Sequence, residues 1–174
     1  MELLFSLGEE LFDPSLPQTV RPSVRAILLY RERIAMVHSL LYDYYKFPGG
    51  GIEAGEDHME ALCREVAEEA GLTLRRETVR PYGLVRRYDR LKNGELFVQD
   101  NFYYLAETQS GTTAQRLDDY EAEEGFTLEY VLPETAIAAN RRENHGPKSP
   151  LMIEREALIL ERLIKEGVFC HDRS

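Results

Sequence analysis

The sequence predicts an α+β domain, a sheet covered by helices. Three observations carry that reading. Two β-prone blocks flank a single helical segment, and two more helical segments close the chain. A length of 174 residues favours one domain, taken as 1–174. Hydrophobic residues at 43% supply a core, and with 30% charged residues they exclude a globally disordered chain.

Residues 1–22 mix apolar and acidic side chains with Pro14 and Pro17 and read as an irregular lead-in, with one early strand at most. Val24–Tyr30 (VRAILLY) and Arg33–Leu41 (RIAMVHSLL) are β-prone runs split by a charged break, which predicts a hairpin. Tyr42–Tyr45 (YDYY) reads as an aromatic loop leading into Phe47-Pro48-Gly49-Gly50-Gly51. A helix follows from Glu56 to Ala70. Met59, Leu62, Cys63, Val66 and Ala70 recur along it at helical spacing, and Gly71 ends it.

Leu74–Arg90 is strand material broken at Pro81-Tyr82-Gly83. Lys92-Asn93-Gly94 is a hairpin signal that joins it to the long run Glu95–Thr108. Ser110–Arg116 is a polar loop, Leu117–Phe126 (LDDYEAEEGF) an acidic one, and Thr127–Pro133 resembles a strand. Pro133 opens a helix, and 142–150 is a linker. The C-terminal helix, 149–167, carries the stripe Leu151, Ile153, Leu158, Leu160, Leu163 and Ile164 and stops at Gly167. The stripe reads as core first and as a dimer contact second.

Asp and Glu number 31 against 21 Lys and Arg, a net charge of -10. That balance argues against a nucleic-acid partner, while bridging divalent cations still allow a small polyanion. Cys63 and Cys170 lack any partner spacing for zinc or a disulfide framework. The N-terminus has no basic region before an apolar run, so it does not read as a signal peptide. No apolar run is long enough for a bilayer. A cytoplasmic protein with no membrane partner is the expectation.

The chemistry concentrates in FPGGGIEAGEDHMEALCREVAEEAGL. Glu65 and Glu69 stand at i, i+4, and Glu65 and Glu68 at i, i+3, so all three carboxylates are expected to converge on one patch, away from the apolar stripe. Like charges so close repel, and a hard divalent cation relieves that by taking oxygen ligands. The glycines let the backbone pass close to a metal and a phosphate. An isolated EVAEE is a solvated helix face. The spacing argues otherwise.

Gly50, Glu56, Arg64, Glu65, Val66, Glu68, Glu69, Gly71 and Leu72 fill every fixed position of the Nudix box. That box reads G, five residues, E, seven residues, R-E, aliphatic, any, E-E, any, G, aliphatic. The chain therefore resembles the Nudix hydrolases. The resemblance implies an α/β/α sandwich with a mixed sheet and cleavage of a diphosphate linked to another moiety, with Mg²⁺ or Mn²⁺. It implies Glu65 and Glu69 as main metal ligands, Glu68 as a further ligand or base, and the Gly49 carbonyl as another ligand. Arg64 and Glu56 would form an ion pair that fixes the loop against the helix. Substrates would be nucleotides: ADP-ribose-like compounds, nucleoside triphosphates or dinucleoside polyphosphates. Many members form homodimers.

Members often add a carboxylate before a late strand. Here Asp118, Asp119, Glu121, Glu123 and Glu124 all qualify, Glu121 first and Glu124 second, against a reading of the whole segment as a solvated acidic loop. Tyr88 sits where a Tyr is associated in the family with diadenosine polyphosphates, and β propensity also accounts for it. ADP-ribose enzymes of the family tend to carry a Pro near that same offset; here the nearest is Pro81, so that signature is missing. Tyr42, Tyr44 and Tyr45 either line a pocket or pack as core and rim. Tyr45 and Tyr88 are the substrate-contact candidates. His38 reads as a packed or edge histidine and His145 as a loop residue. Arg86-Arg87 and Arg141-Arg142 read as solvated ends before phosphate binders. A second class of function stays in view, a Nudix-type domain that senses a nucleotide or nucleotide-sugar without turnover. The three intact carboxylates and the lack of a basic second domain favour the enzyme.

Overall fold

The computed structural model describes residues 1–169, so Cys170 lies outside the described residues. Its strands are β1 (Leu3–Leu7), β2 (Gln18–Val20), β3 (Ser23–Tyr30), β4 (Arg33–Ser39), β5 (Tyr44–Lys46), β6 (Arg80–Arg90), β7 (Leu96–Ala106) and β8 (Phe126–Val131). The helices are α1 (His58–Ala70), α2 (Asp119–Glu124), α3 (Pro133–Asn140) and α4 (Pro150–Lys165).

Side-chain alternation along β3 sorts the layers. Val24, Ala26 and Leu28 pack with Ala61, Leu62, Val66 and Ala70 of α1. Ile27 points the other way and packs with Ala136 and Ala139 of α3 and Ile159, Leu160 and Leu163 of α4. β4 repeats the division, with Ala35 toward α1 and Ile34 and Met36 toward α3 and α4. A mixed sheet thus lies between one helix and a helix pair, an α/β/α sandwich of the α+β class.

The strand order is β1-β6-β7-β3-β4-β5, with β2 also on β7 and β8 on β4. β1/β6, β2/β7 and β3/β7 are parallel; the other pairs are antiparallel. β3 and β4 pair only at Leu29–Ile34 and Tyr30–Arg33, then diverge. The glycine loop enters the fork. Pro48 and Gly50 offer their carbonyls to the N–H groups of Ala26 and Val24, both at 2.9 Å. The loop therefore sits on a central strand, which fixes it relative to α1.

Several elements differ from the sequence reading. The lead-in holds two strands, each paired in parallel with a strand some seventy residues away or more, contacts that local pattern does not show. Tyr44–Lys46, read as loop, is β5, zipped to β4. β6 runs through Pro81-Tyr82-Gly83 by a register shift there instead of breaking. The acidic loop contains α2, capped by Asp118 and Glu121 and closed by Gly125 at φ 66°. α1 starts two residues later than expected, because Asp57 caps it and Glu56 is engaged elsewhere. α4 starts at Pro150 after the Ser149 cap and ends at Lys165, just short of Gly167. Of its stripe, Ile153, Leu160 and Leu163 are core, whereas Ile164 is exposed. Among the described residues no helix is long and apolar enough to cross a membrane.

Candidate active site

Gly49 has φ 143°, in the left-handed half of conformational space that favours glycine, and a Cβ there would strike the Val24 carbonyl. A Cβ on Gly50 would lie 2.5 Å from Glu65 Oε2, so the Glu65 carboxylate packs directly on loop backbone. Glu69 is only 1% exposed. It accepts the Gly49 N–H at 3.0 Å and pairs with Lys46. Burial pushes its carboxyl up to about 7, against the pull of Lys46 and Arg25. The expectation that Glu69 stands away from the apolar stripe is corrected. Leu62, Val66 and Glu69 are spaced four and three apart, so they share the buried face.

Arg64 ties this wall together. Nε and Nη2 reach the two Glu56 oxygens at 2.8 Å, and Nη2 also reaches the Gly51 carbonyl at 3.1 Å. Nη1 reaches Glu65 at 2.8 Å and Glu68 at 3.4 Å. Burial raises the Glu65 carboxyl, with Arg64 opposing. Glu56 moves the other way, held down to about 2 by Arg64.

Glu65, Glu68 and Glu69 line a cavity of about 270 Å³, with Glu121 and Asp118 across from them on α2 and its cap. Glu121 is 5% exposed and accepts the Asp118 N–H at 2.9 Å and the Tyr120 hydroxyl at 3.0 Å. Glu124 faces elsewhere, toward Lys148, Ser39 and Tyr44. Neither is part of a solvated loop.

The NUDIX domain family matches residues 19–151. The chain belongs to the Nudix family. Its assignment as a Nudix hydrolase follows. Among solved structures it is similar to a NUDIX hydrolase from Nitrosomonas europaea, at 18% identity and a TM-score of 0.59, covering 90% of this chain and 100% of that one. It is also similar to a MutT NUDIX hydrolase from Burkholderia pseudomallei, at 23% identity and a TM-score of 0.56, covering 83% of this chain and 98% of that one. At these identities the likeness concerns the fold. None of the curated proteins matches the sequence.

For a Nudix hydrolase the donor chemistry suits a hard divalent cation: carboxylate oxygens with Gly51 of the glycine loop around one cavity. The three box carboxylates share that cavity without closing on a common point. Among the described residues no three Asp, Glu, His or Cys side chains gather closely enough to hold a metal. Cationic side chains stand among them instead: Arg64 holds Glu65 and Glu68, Lys46 holds Glu69, and Arg25 donates Nη1 to the Gly49 carbonyl at 2.6 Å.

The remaining Nudix candidates separate clearly. Tyr45 is core; its ring stacks on His38 at 4.2 Å and its hydroxyl donates to Glu129. Tyr88 packs on Phe12. Neither lines a cavity with the box carboxylates, whereas Tyr44 and Tyr120 do. Arg86 pairs with Asp100, Arg141 with Glu154 and Glu161, and Arg142 with Asp43, as surface groups do. Arg87 is buried, against its reading as a solvated end. His145 braces the carbonyls of Tyr42 and Asn140. Cys63 is a half-buried free thiol. Sequence reasoning missed Lys46 and Arg25, and it ranked Asp118 of the acidic segment below Glu121 and Glu124. For Asp118 a signal existed: Asp and then Glu three positions on is a helix-capping pattern.

Proposed function

We propose that this Nudix hydrolase cleaves the diphosphate bond of a nucleoside diphosphate linked to another moiety, with Mg²⁺ or Mn²⁺. The observation that carries this is the cavity lined by Glu65, Glu68, Glu69, Glu121 and Gly51, which adjoins a second one lined by Gly49, Gly50 and Gly51. Glu65, Glu68 and Glu69 would hold the cation, with the Gly49 carbonyl as a further oxygen. When bound, such a cation neutralises diphosphate charge and lowers the pKa of a coordinated water. Glu121 faces the same cavity and would take a proton. Arg64 keeps Glu65 and Glu68 fixed relative to the loop, so little reorganisation accompanies the reaction.

The engagement of Lys46 with Glu69 and of Arg25 with the Gly49 carbonyl favours a second reading, a domain that binds nucleotide without turnover. One experiment separates them. ADP-ribose, nucleoside triphosphates, dinucleoside polyphosphates and nucleotide-sugars are offered with Mg²⁺, with Mn²⁺ and with EDTA, beside Glu69→Gln. Metal-dependent turnover that collapses in the variant supports the hydrolase. Tight binding without turnover in either protein supports the sensor.

A further inference from the structure

The sheet face turned toward α4 changes character along its length. Ile27, Val85 and Tyr103 meet Ile159, Leu160 and Leu163 in the core. Two residues along each strand, on the same face, stand Arg25, Arg87 and Asn101. Arg155 comes down from α4 to meet them, donating to Asn101 at 2.8 Å. Arg25, Arg87 and Arg155 wall a cavity of about 290 Å³ that adjoins the carboxylate cavity and shares Glu65, Glu69 and Glu121 with it. Of these two cavities, Arg87, Gln99 and Arg155 line the second and not the first; Glu68 and Arg64 line the first and not the second.

A buried guanidinium requires acceptors. Arg155 has them in Glu156, Asn101 and Gln99. Arg25 and Arg87, 7% and 6% exposed, have too few. Arg25 spends Nη1 on the Gly49 carbonyl, and its buried Nε has no acceptor. Arg87 gives Nη2 to Gln99 at 3.1 Å, an oxygen that Arg155 also uses. Its Nε and Nη1 have no aligned acceptor, although Asp89 lies 3.2 Å from Nη1. The Phe97 ring covers the guanidinium at 5.5 Å, which leaves the N–H edges for a partner. Burial, and then Arg155, bring Arg87 down to about 10, as crowding of like charges does. In a chain with a net charge of -10 these buried cations are set aside from the acidic surface.

We propose that this cavity is an anion subsite independent of metal, and that it takes a phosphate monoester carried by the substrate in addition to the diphosphate. Guanidinium forks match tetrahedral oxyanions. Two under-compensated guanidinium groups suit a phosphate monoester, which carries nearly two charges at neutral pH, better than a carboxylate. The place of this group within the substrate rests on the hydrolase reading; the binding of the anion does not.

The test uses the full chain in EDTA at fixed ionic strength, with inorganic phosphate as the probe and calorimetry as the readout. Saturable binding above a chloride control is expected. Arg87→Gln is expected to weaken it by about tenfold, the loss of charge-assisted hydrogen bonds. Arg87→Lys keeps the buried charge and loses the fork, so it should weaken phosphate binding even where the Gln variant fails to fold. Absence of phosphate binding in the unaltered protein, or unchanged affinity in both variants, overturns the subsite. A second arm compares, with Mg²⁺, a nucleotide-sugar and the same compound bearing one further phosphate. Preference for the phosphorylated form, lost in Arg87→Lys, is expected; equal use of the two overturns the substrate class. Phosphate binding through Arg87 with no turnover of either compound keeps the subsite and counts against the hydrolase. Turnover of the plain compound with no phosphate binding does the reverse.

Discussion

Arg64 grips Glu56 with two prongs, Nε to Oε1 and Nη2 to Oε2, each at 2.8 Å. The grip spans the loop that carries the glycines and the helix that carries the carboxylates. It holds the Glu56 carboxyl at about 2, below its ordinary 4.5. A folded pKa below the unfolded one means stabilisation that is complete above about 4.5 and lost as pH falls through about 2. Glu56→Gln is therefore expected to cost about 1 kcal/mol near neutral pH, a figure kept small because the pair is partly exposed. The gap between the two proteins should close between pH 4.5 and 2. Urea melts of both proteins across that window check it. A gap that does not change with pH would assign the loss to shape instead of charge.

Two adjacent glycines should fail in different ways. Gly49→Ala forces a side chain onto φ 143° and into the Val24 carbonyl, so it should destabilise the fold by about 2 kcal/mol or more. Gly50→Ala meets the end of the Glu65 side chain at 2.5 Å, which can turn aside. Its melting temperature should hold while turnover falls, since Glu65 loses its place. Parallel melts and rate measurements separate the two. Equal losses of stability would show that Glu65 cannot move out of the way.

Much of this was legible in the residues. The box spacing gave α1 and its carboxylates, and Asn93-Gly94 marked the β6/β7 turn. The buried cations were not legible. Arg25 interrupts an apolar run and Arg87 sits in an ordinary strand, and nothing local says that their sheet face turns polar opposite Arg155. The burial of Glu69 escaped notice in a run of surface-like Glu, because only its helical phase, not its type, marks it. β5 and β2 escaped for a related reason. Each has three residues, and both exist through partners distant in the chain or formed only on folding.

Glu156 connects α4 to the glycine loop. It pairs with Arg155 and accepts the Phe47 N–H at 2.9 Å. Both side chains are 1% exposed. Glu156→Gln retains an acceptor for Phe47 but leaves a buried guanidinium short of its counter-charge. The expected cost is about 3 kcal/mol, as for breaking a buried pair from one side. Urea unfolding measures it. Full stability in the variant would show that Asn101 and Gln99 alone satisfy Arg155.

Glu121 and Glu124 are three apart near α2, and both are 5% exposed. Their partners differ. Glu121 lines the carboxylate cavity and is held by the Asp118 N–H and the Tyr120 hydroxyl. Glu124 pairs with Lys148 and accepts from Ser39 at 3.1 Å and from Tyr44 at 3.0 Å, bracing β4, β5 and the 142–150 segment. Glu121→Gln should therefore lower kcat by about a hundredfold, the scale of a lost acid–base group, with little change in melting temperature. Glu124→Gln should lower stability by about 2 kcal/mol, since Lys148 and two hydroxyls lose a charged acceptor, and leave kcat of the folded protein within a few-fold. Steady-state kinetics and urea melts on the same preparations decide. The opposite pattern, with rate falling in Glu124→Gln and stability in Glu121→Gln, would move the proton-accepting role from the cavity wall to the brace.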